Sequence, residues 1–240
     1  MNEQGNTGGE TRGGSEVVDA PSQSAIGTLI GIFISPKKTF ESLAARPRIL
    51  APVLLLVVFH LVLALVVVQS GLQESDTIAK MEQKGAPPEQ IEGIKRVMES
   101  PARFLFALGG PIAVGFILLV SSAVLYFMAN LMLGARLRFT HYLCIVAYAG
   151  IVSIVDNIAQ IAIGLSRGTL FVSMGIGAFL GDNLSYPLRV LDVATDPLLL
   201  WTFGIQALGV AVMARRKLGF GVAAVALGFV AGALVRGLAR

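Results

Sequence analysis

Residues 49–69 read ILAPVLLLVVFHLVLALVVVQ and contain no Asp, Glu, Lys or Arg. A helix needs about 20 predominantly apolar residues to cross roughly 30 Å of hydrocarbon. His60 is the only titratable side chain in the stretch. A run this long without a polar face has no place in a water-soluble core, so it places the chain in a bilayer.

Four more apolar segments of spanning length follow, at about 104–133, 141–165, 197–213 and 217–237. The fourth span, 197–213, sits at the lower limit of about 17 residues. Composition agrees with the pattern. The 240 residues are 55% hydrophobic and 14% charged, with a mean hydropathy of +0.75. A soluble chain carries about 25% charged residues. The expected fold class is all-α: a polytopic membrane protein of five transmembrane helices with an N-terminal interfacial amphipathic helix pair.

The net charge of +4 does not point to nucleic acid. The basic residues sit in short clusters beside the apolar runs, where they fix membrane orientation. The single cysteine, Cys144, excludes an intrachain disulfide framework and any multi-cysteine metal site.

Residues 1–24 are rich in Gly, Ser, Thr and Glu and have almost nothing to bury, the composition of a disordered tail. They lack the basic start and apolar core of a signal peptide, so the first span is expected to act as the signal and stay in the membrane. Over 25–48 the pattern changes. Ile26, Leu29, Ile30 and Phe33 share a helical face too short to span. Ser35-Pro36 then starts a second short helix bearing Lys37, Lys38, Phe40 and Leu43, and Arg46-Pro47 ends it. Short amphipathic helices carrying lysines suit the membrane interface.

Orientation follows from where the basic residues are dense. Lys37, Lys38, Arg46 and Arg48 precede the first span, Arg136 and Arg138 fill the second turn, and Arg215-Arg216-Lys217 fill the fourth. Dense basic clusters in short turns resist translocation. The expected arrangement has the N-terminus cytoplasmic and the C-terminus outside. The outside loop 70–103 then forms a helical hairpin about the turn Gly85-Ala86-Pro87-Pro88. The stretch 169–181 is apolar but too short and glycine-rich to span, and reads as a re-entrant or interfacial piece.

Three local patterns, in order, carry a family resemblance: Ser35-Pro36-Lys37-Lys38-Thr39-Phe40 leading to Arg46-Pro47, then Gly85-Ala86-Pro87-Pro88-Glu89-Gln90, then Asp196-Pro197 with Leu200-Trp201 running to Arg215-Arg216-Lys217. Over about residues 25–237 the chain resembles the Yip (Ypt-interacting protein) domain family of five-span integral membrane proteins. In the better-known eukaryotic members a long cytoplasmic N-terminal region meets Rab-type GTPases. Here only the short tail stands in that place, a departure that argues against a GTPase partner. The resemblance implies a prokaryotic-type member, in the cytoplasmic (inner) membrane.

The third span carries the most informative polar pattern. Gly150, Ser153, Asn157, Gln160 and Gly164 recur at steps of three and four, forming one small and polar stripe. Asp156 lies beside it, roughly 22 Å from the inner end of the span at 1.5 Å per residue. An acid at that depth costs at least ~2.5 kcal/mol and faces a partner or a hydrated cavity. Two readings stay open: a proton, cation or headgroup site, or a hydrogen-bonded seam between helices. Thr202 and Gln206, four apart in the fourth span, reach a comparable depth. Ser122, Tyr126 and Asn130 form a second polar line, and Asn130 is placed to meet His141 or Tyr142 across the turn.

Small residues mark close helix contacts: Ala224, Gly228 and Gly232 in the last span, and Gly204, Ala207, Ala211 and Ala214 in the fourth. Such contacts serve packing within the chain or a homo-oligomer equally well. His141 and Cys144 share a helical face but lack the further ligands that a closed metal site needs. His60 reads as a hydrogen-bonded core histidine. Asp182, Asp192 and Asp196 lie in one outside loop and read as solvated loop acids, with Asp196 capping a helix that starts at Pro197, weak cation binding being the alternative.

The sequence has no His-Glu-x-x-His, no Gly-x-Ser-x-Gly and no phosphate-binding loop. Gly181-Asp182 resembles the Gly-x-Gly-Asp of membrane aspartyl proteases, but Phe179 occupies the first glycine position. No cofactor signature is present. The expected function is therefore non-enzymatic. One reading is a membrane-organising or partner-recruiting scaffold whose basic elbow is Lys37, Lys38, Arg46, Arg48, Arg215, Arg216 and Lys217. The alternative is a small transporter or ion pathway centred on Ser153, Asp156, Asn157, Gln160, Thr202 and Gln206. The expected partners are the lipid bilayer and other membrane proteins.

Overall fold

The chain was analysed as a computed structural model, which describes residues 24–169, 172–180 and 184–239. Residues 1–23 of the tail, together with Asp182 of the Gly-Asp motif, lie outside these described residues. Among the described residues the protein is all-helical, with no strand.

Helices α1 (Ala25–Ile34) and α2 (Pro36–Ala45) open the fold. Ser24 caps α1 by accepting from the Gly27 N–H at 3.0 Å, and Pro36 starts α2 where a missing N–H costs nothing. Phe40 and Leu43 of α2 are buried against the bundle, as is Ile32 of α1. Ile26, Ile30 and Ile34 point away from it.

Helix α3 (Leu50–Ser70) pairs with the long α6 (Arg103–Tyr126), which widens into a π-helical turn at Phe127–Met132. Between them stand α4 (Leu72–Gln83) and α5 (Pro88–Glu99), joined through Gly85 at φ +69°. The turn after α6 is held by one side chain. Asn130 donates to the Leu137 carbonyl at 2.7 Å and accepts from the Leu137 N–H at 3.3 Å. It also accepts from the Tyr142 hydroxyl at 2.6 Å. This is the Asn130–Tyr142 meeting expected from the spacing.

Helices α7 (Phe139–Gly150) and α8 (Val152–Arg167) form one nearly continuous rod, interrupted at Ile151. α7 is the centre of the protein: Tyr142 and every residue from Cys144 to Ala149 are buried. The polar stripe begins where this interruption falls, since Gly150 ends α7 and Ser153 opens α8. A short α9 (Gly177–Leu180) then precedes α10 (Tyr186–Ala194).

Helix α11 (Pro197–Met213) follows α10 after a 55° bend. The bend has an identifiable cause: Pro197 cannot continue a helix from α10. Asp196 caps the new one, accepting from the N–H groups of Leu198 at 2.9 Å and Leu199 at 3.1 Å. The last helix, α12 (Leu218–Ala239), packs along both α11 and α10. Among the described residues, four helical stretches are long and apolar enough to cross a membrane by themselves: α3, α6 with its π turn, α7–α8, and α12. There are five if α10 and α11 together count as one bent span. The sequence segment 197–213 thus corresponds to the longer limb of a broken element.

Packing explains the glycines at the seams. A Cβ on Gly221 of α12 would strike the Ala207 carbonyl of α11. One on Gly209 would meet Phe40 Cζ and Ile145 Cγ2, each at 2.9 Å. Gly221 thus marks a close α11–α12 approach, one turn before the Ala224-Gly228-Gly232 series. The outer surfaces of α3, α6 and α12 remain apolar, Ile112 and Phe116 being about two-thirds exposed. Patches of that kind belong against lipid.

Candidate functional site

The polar residues of α8 and α11 converge on one cavity of about 450 Å³ near the centre of the bundle. Ser153, Asp156, Asn157, Gln160, Thr202 and Gln206 all line it, as do His60 of α3 and Ser121 of α6. Helical spacing places the four α8 residues there, since a period of 3.6 brings positions three and four apart onto one face.

Local hydrogen bonds set the polarity of each group. The Ser153 hydroxyl donates to the Gly150 carbonyl at 2.6 Å, and the Asn157 amide donates to the Ser153 carbonyl at 2.7 Å. Gln160 donates to Asp156 Oδ1 at 2.8 Å. The Thr202 hydroxyl donates to the Leu198 carbonyl at 2.9 Å. His60 Nδ1 lies 2.8 Å from the Leu56 carbonyl. A carbonyl only accepts, so Nδ1 is the donor in this contact. Asp156 is buried, at 7% exposure.

Ser121 carries no mark in the sequence reading, and His60 reads there as a hydrogen-bonded core histidine, not as a cavity residue. Ser121 lies beside the polar line Ser122-Tyr126-Asn130, yet it faces the cavity, whereas Ser122 is buried and donates to the Leu118 carbonyl at 2.6 Å. His60 carried no periodic mark inside its apolar run. His141 Nε2 lies 3.3 Å from the Ala44 carbonyl, and no group of three or more His, Cys, Asp or Glu placed to hold a metal occurs among the described residues.

The reading of Asp192 as a solvated loop acid is corrected. Asp192 is fully buried and Asp196 nearly so. Asp192 Oδ1 accepts from the backbone N–H groups of Gly175 at 3.1 Å and Gly177 at 2.8 Å. The Thr195 hydroxyl adds a bond from the Ile176 N–H at 3.0 Å. These bonds fasten the described part of the 169–181 stretch to α10. Gly175 and Gly177 are needed there, because a Cβ on Gly175 would strike the Asp192 carbonyl and one on Gly177 would come within 2.8 Å of Asp192 Oδ1.

The basic residues gather in part. Lys37 of α2 and Arg215 and Arg216 of the α11–α12 turn share a groove of about 450 Å³ with Glu41. Arg215 occupies the left-handed region at φ +53°, which aims the turn outward and lets the Arg216 N–H reach the Ala211 carbonyl at 2.8 Å. Lys38, Arg46, Arg48 and Lys217 are exposed but lie outside this groove's lining. The Lys37–Glu41 pair, at 4.0 Å and solvent-facing, contributes little.

A helical bundle with several apolar helices of spanning length and an apolar outer surface defines a multi-pass integral membrane protein. A family profile described as the Yip1 domain matches residues 30–235, so the chain belongs to the Yip1 domain family. No curated protein and no solved structure matches it.

Proposed function

We propose that this chain is a non-enzymatic membrane scaffold that organises the bilayer around its bundle and recruits partners through its basic end. The observation supporting this reading is the groove where Lys37, Arg215 and Arg216 from distant parts of the chain meet. Basic groups at a membrane surface gain about 1 kcal/mol each against anionic lipid, and they complement acidic protein surfaces equally. The corresponding topology has five spans, in a prokaryotic cytoplasmic membrane, with the basic end and N-terminus cytoplasmic and the C-terminus outside. Quantitative affinity capture from native membranes tests it. The co-purifying proteins are expected to fall away when Lys37, Arg215 and Arg216 are each changed to Glu, with the fold intact by circular dichroism. An unchanged set, or enzyme-like turnover by the purified protein, overturns the reading.

A second reading, a small transporter centred on Ser153, Asp156, Asn157, Gln160, Thr202 and Gln206, is favoured by the cavity those residues share. Proteoliposomes should then show flux that depends on Asp156. A broad solute panel without such flux rejects this reading.

A further inference from the structure

The α11–α12 link makes an uncommon choice of residue. Arg215 sits at φ +53°, and among the described residues it is the one non-glycine in the left-handed region. Glycine adopts that conformation at no steric cost, as Gly134 does in the turn after α6. A long cation held there against backbone preference marks a position where the side chain has a use. Its neighbour is held as well: the Arg216 guanidinium lies over the Phe220 ring, 5.7 Å from the centroid.

Lys37 of α2 meets these two arginines in the groove, over a floor of Ala44, Ala211 and Val212. Glu41 is the only acid in that lining, and it stands 4.0 Å from Lys37. Three cations face one carboxylate, and neither arginine makes an ion pair among the described residues. An excess of positive charge built partly from guanidinium forks matches phosphate oxygens.

Position selects the source of the phosphate. The stretch Leu218–Val235 of α12 is long and apolar enough to cross a membrane, so its start, with Arg215 and Arg216 just before it, falls at a membrane boundary. Apolar side chains flank the cations along the chain. Ile34, 78% exposed, stands three residues before Lys37, and Leu218, 55% exposed, two after Arg216. A phosphate attached to hydrocarbon satisfies both the groove and its flanks.

We infer that this groove binds the phosphate of an anionic lipid, held by Lys37, Arg215 and Arg216. The inference rests on the reading of the basic end as the place where the chain binds its surroundings, and narrows the occupant to a lipid headgroup.

Native mass spectrometry of the full chain in detergent, titrated with phosphatidylglycerol or with phosphatidylcholine of the same chains, tests it. Phosphatidylglycerol is expected to bind at least about tenfold tighter. Lys37→Gln, Arg216→Gln and Arg215→Gly should each weaken it about fivefold, the loss of one cation near the phosphate. Arg215→Gly also relieves the left-handed backbone, so its melting temperature should hold while affinity falls, and it carries the test if another variant fails to fold. Lys38→Gln and Lys217→Gln remove the same charge from adjacent positions outside the groove lining and should leave affinity within about twofold. Equal binding of the two lipids, or equal losses in the Lys38 and Lys37 variants, overturns the inference in favour of diffuse attraction. Displacement of the lipid by an equal concentration of glycerol phosphate overturns the lipid assignment. Loss of co-purifying proteins in the charge-reversed variants without any phosphatidylglycerol preference ends this inference and leaves the recruiting reading standing. A phosphatidylglycerol preference with no co-purifying protein does the reverse.

Discussion

Asp192 Oδ1 accepts the N–H of Gly177 at 2.8 Å, fifteen positions back along the chain. The same oxygen takes the Gly175 N–H at 3.1 Å. A fully buried carboxylate thereby supplies the acceptor for two backbone donors, one just before α9 and one at its first residue. Replacing it with alanine strands two buried donors. Asp192→Ala is expected to cost about 2–4 kcal/mol, read as a lowered unfolding midpoint in detergent micelles. Asp192→Asn, which keeps an acceptor oxygen, should cost less. Equal stability of Asp192→Ala and wild type would refute the anchoring role.

The turn after α6 depends on Asn130. Tyr142→Phe removes one hydrogen bond to it and should cost about 1 kcal/mol. Asn130→Ala removes three, including both bonds to Leu137, and should cost at least twice as much. A double-mutant cycle on the two positions measures their coupling. Additive losses would show that the 2.6 Å contact contributes nothing to stability.

Gly209 is where α2 docks. Gly209→Ala forces Phe40 or Ile145 to move and should destabilise by about 1–3 kcal/mol. Shortening the opposing ring in Phe40→Leu should recover part of that loss in the double variant. Gly221→Ala meets a backbone carbonyl of Ala207, which cannot swing aside, and should be worse and without such rescue. Melting temperatures of the four variants test the ordering.

Sidedness is measurable with one thiol at a time. Cys144 is the sole cysteine and is buried, so a Cys144→Ala background is silent. Cysteines placed at Lys37 and at Glu92 lie on either side of α3. An impermeant maleimide is expected to reach position 92 from outside and position 37 only from the cytoplasmic face. Labelling of both from one face would contradict a single crossing by α3.

Much of this was legible in the chain. Long runs without charge announce lipid-facing helices because the bilayer rewards continuous apolar length and little else. The α8 stripe was legible too, since a 3.6-residue period fixes which residues share a face before any neighbour is known. Asp192 was not, because nothing local separates a loop acid in water from one gripping amides donated by residues upstream. Nor was Gly221 distinguishable among 27 glycines; only the docked position of α11 makes its missing side chain necessary. Ser121 and Ser122 differ by 100° of helix rotation, a difference that matters only once the partners of α6 are in place.

The tight link between α11 and α12, with Arg215 in its left-handed kink, sets an arithmetic on which face the two helices share. From Met213 to Leu218 the backbone can stretch less than about 18 Å, short of the ~30 Å of hydrocarbon. Met213 and Leu218 must therefore emerge on the same face. With α12 crossing, a chain cut after Met213 finishes on one side of the membrane, and the residue that follows α12 lies on the other. Truncation by a single helix would relocate the terminus without disturbing the sidedness of anything upstream.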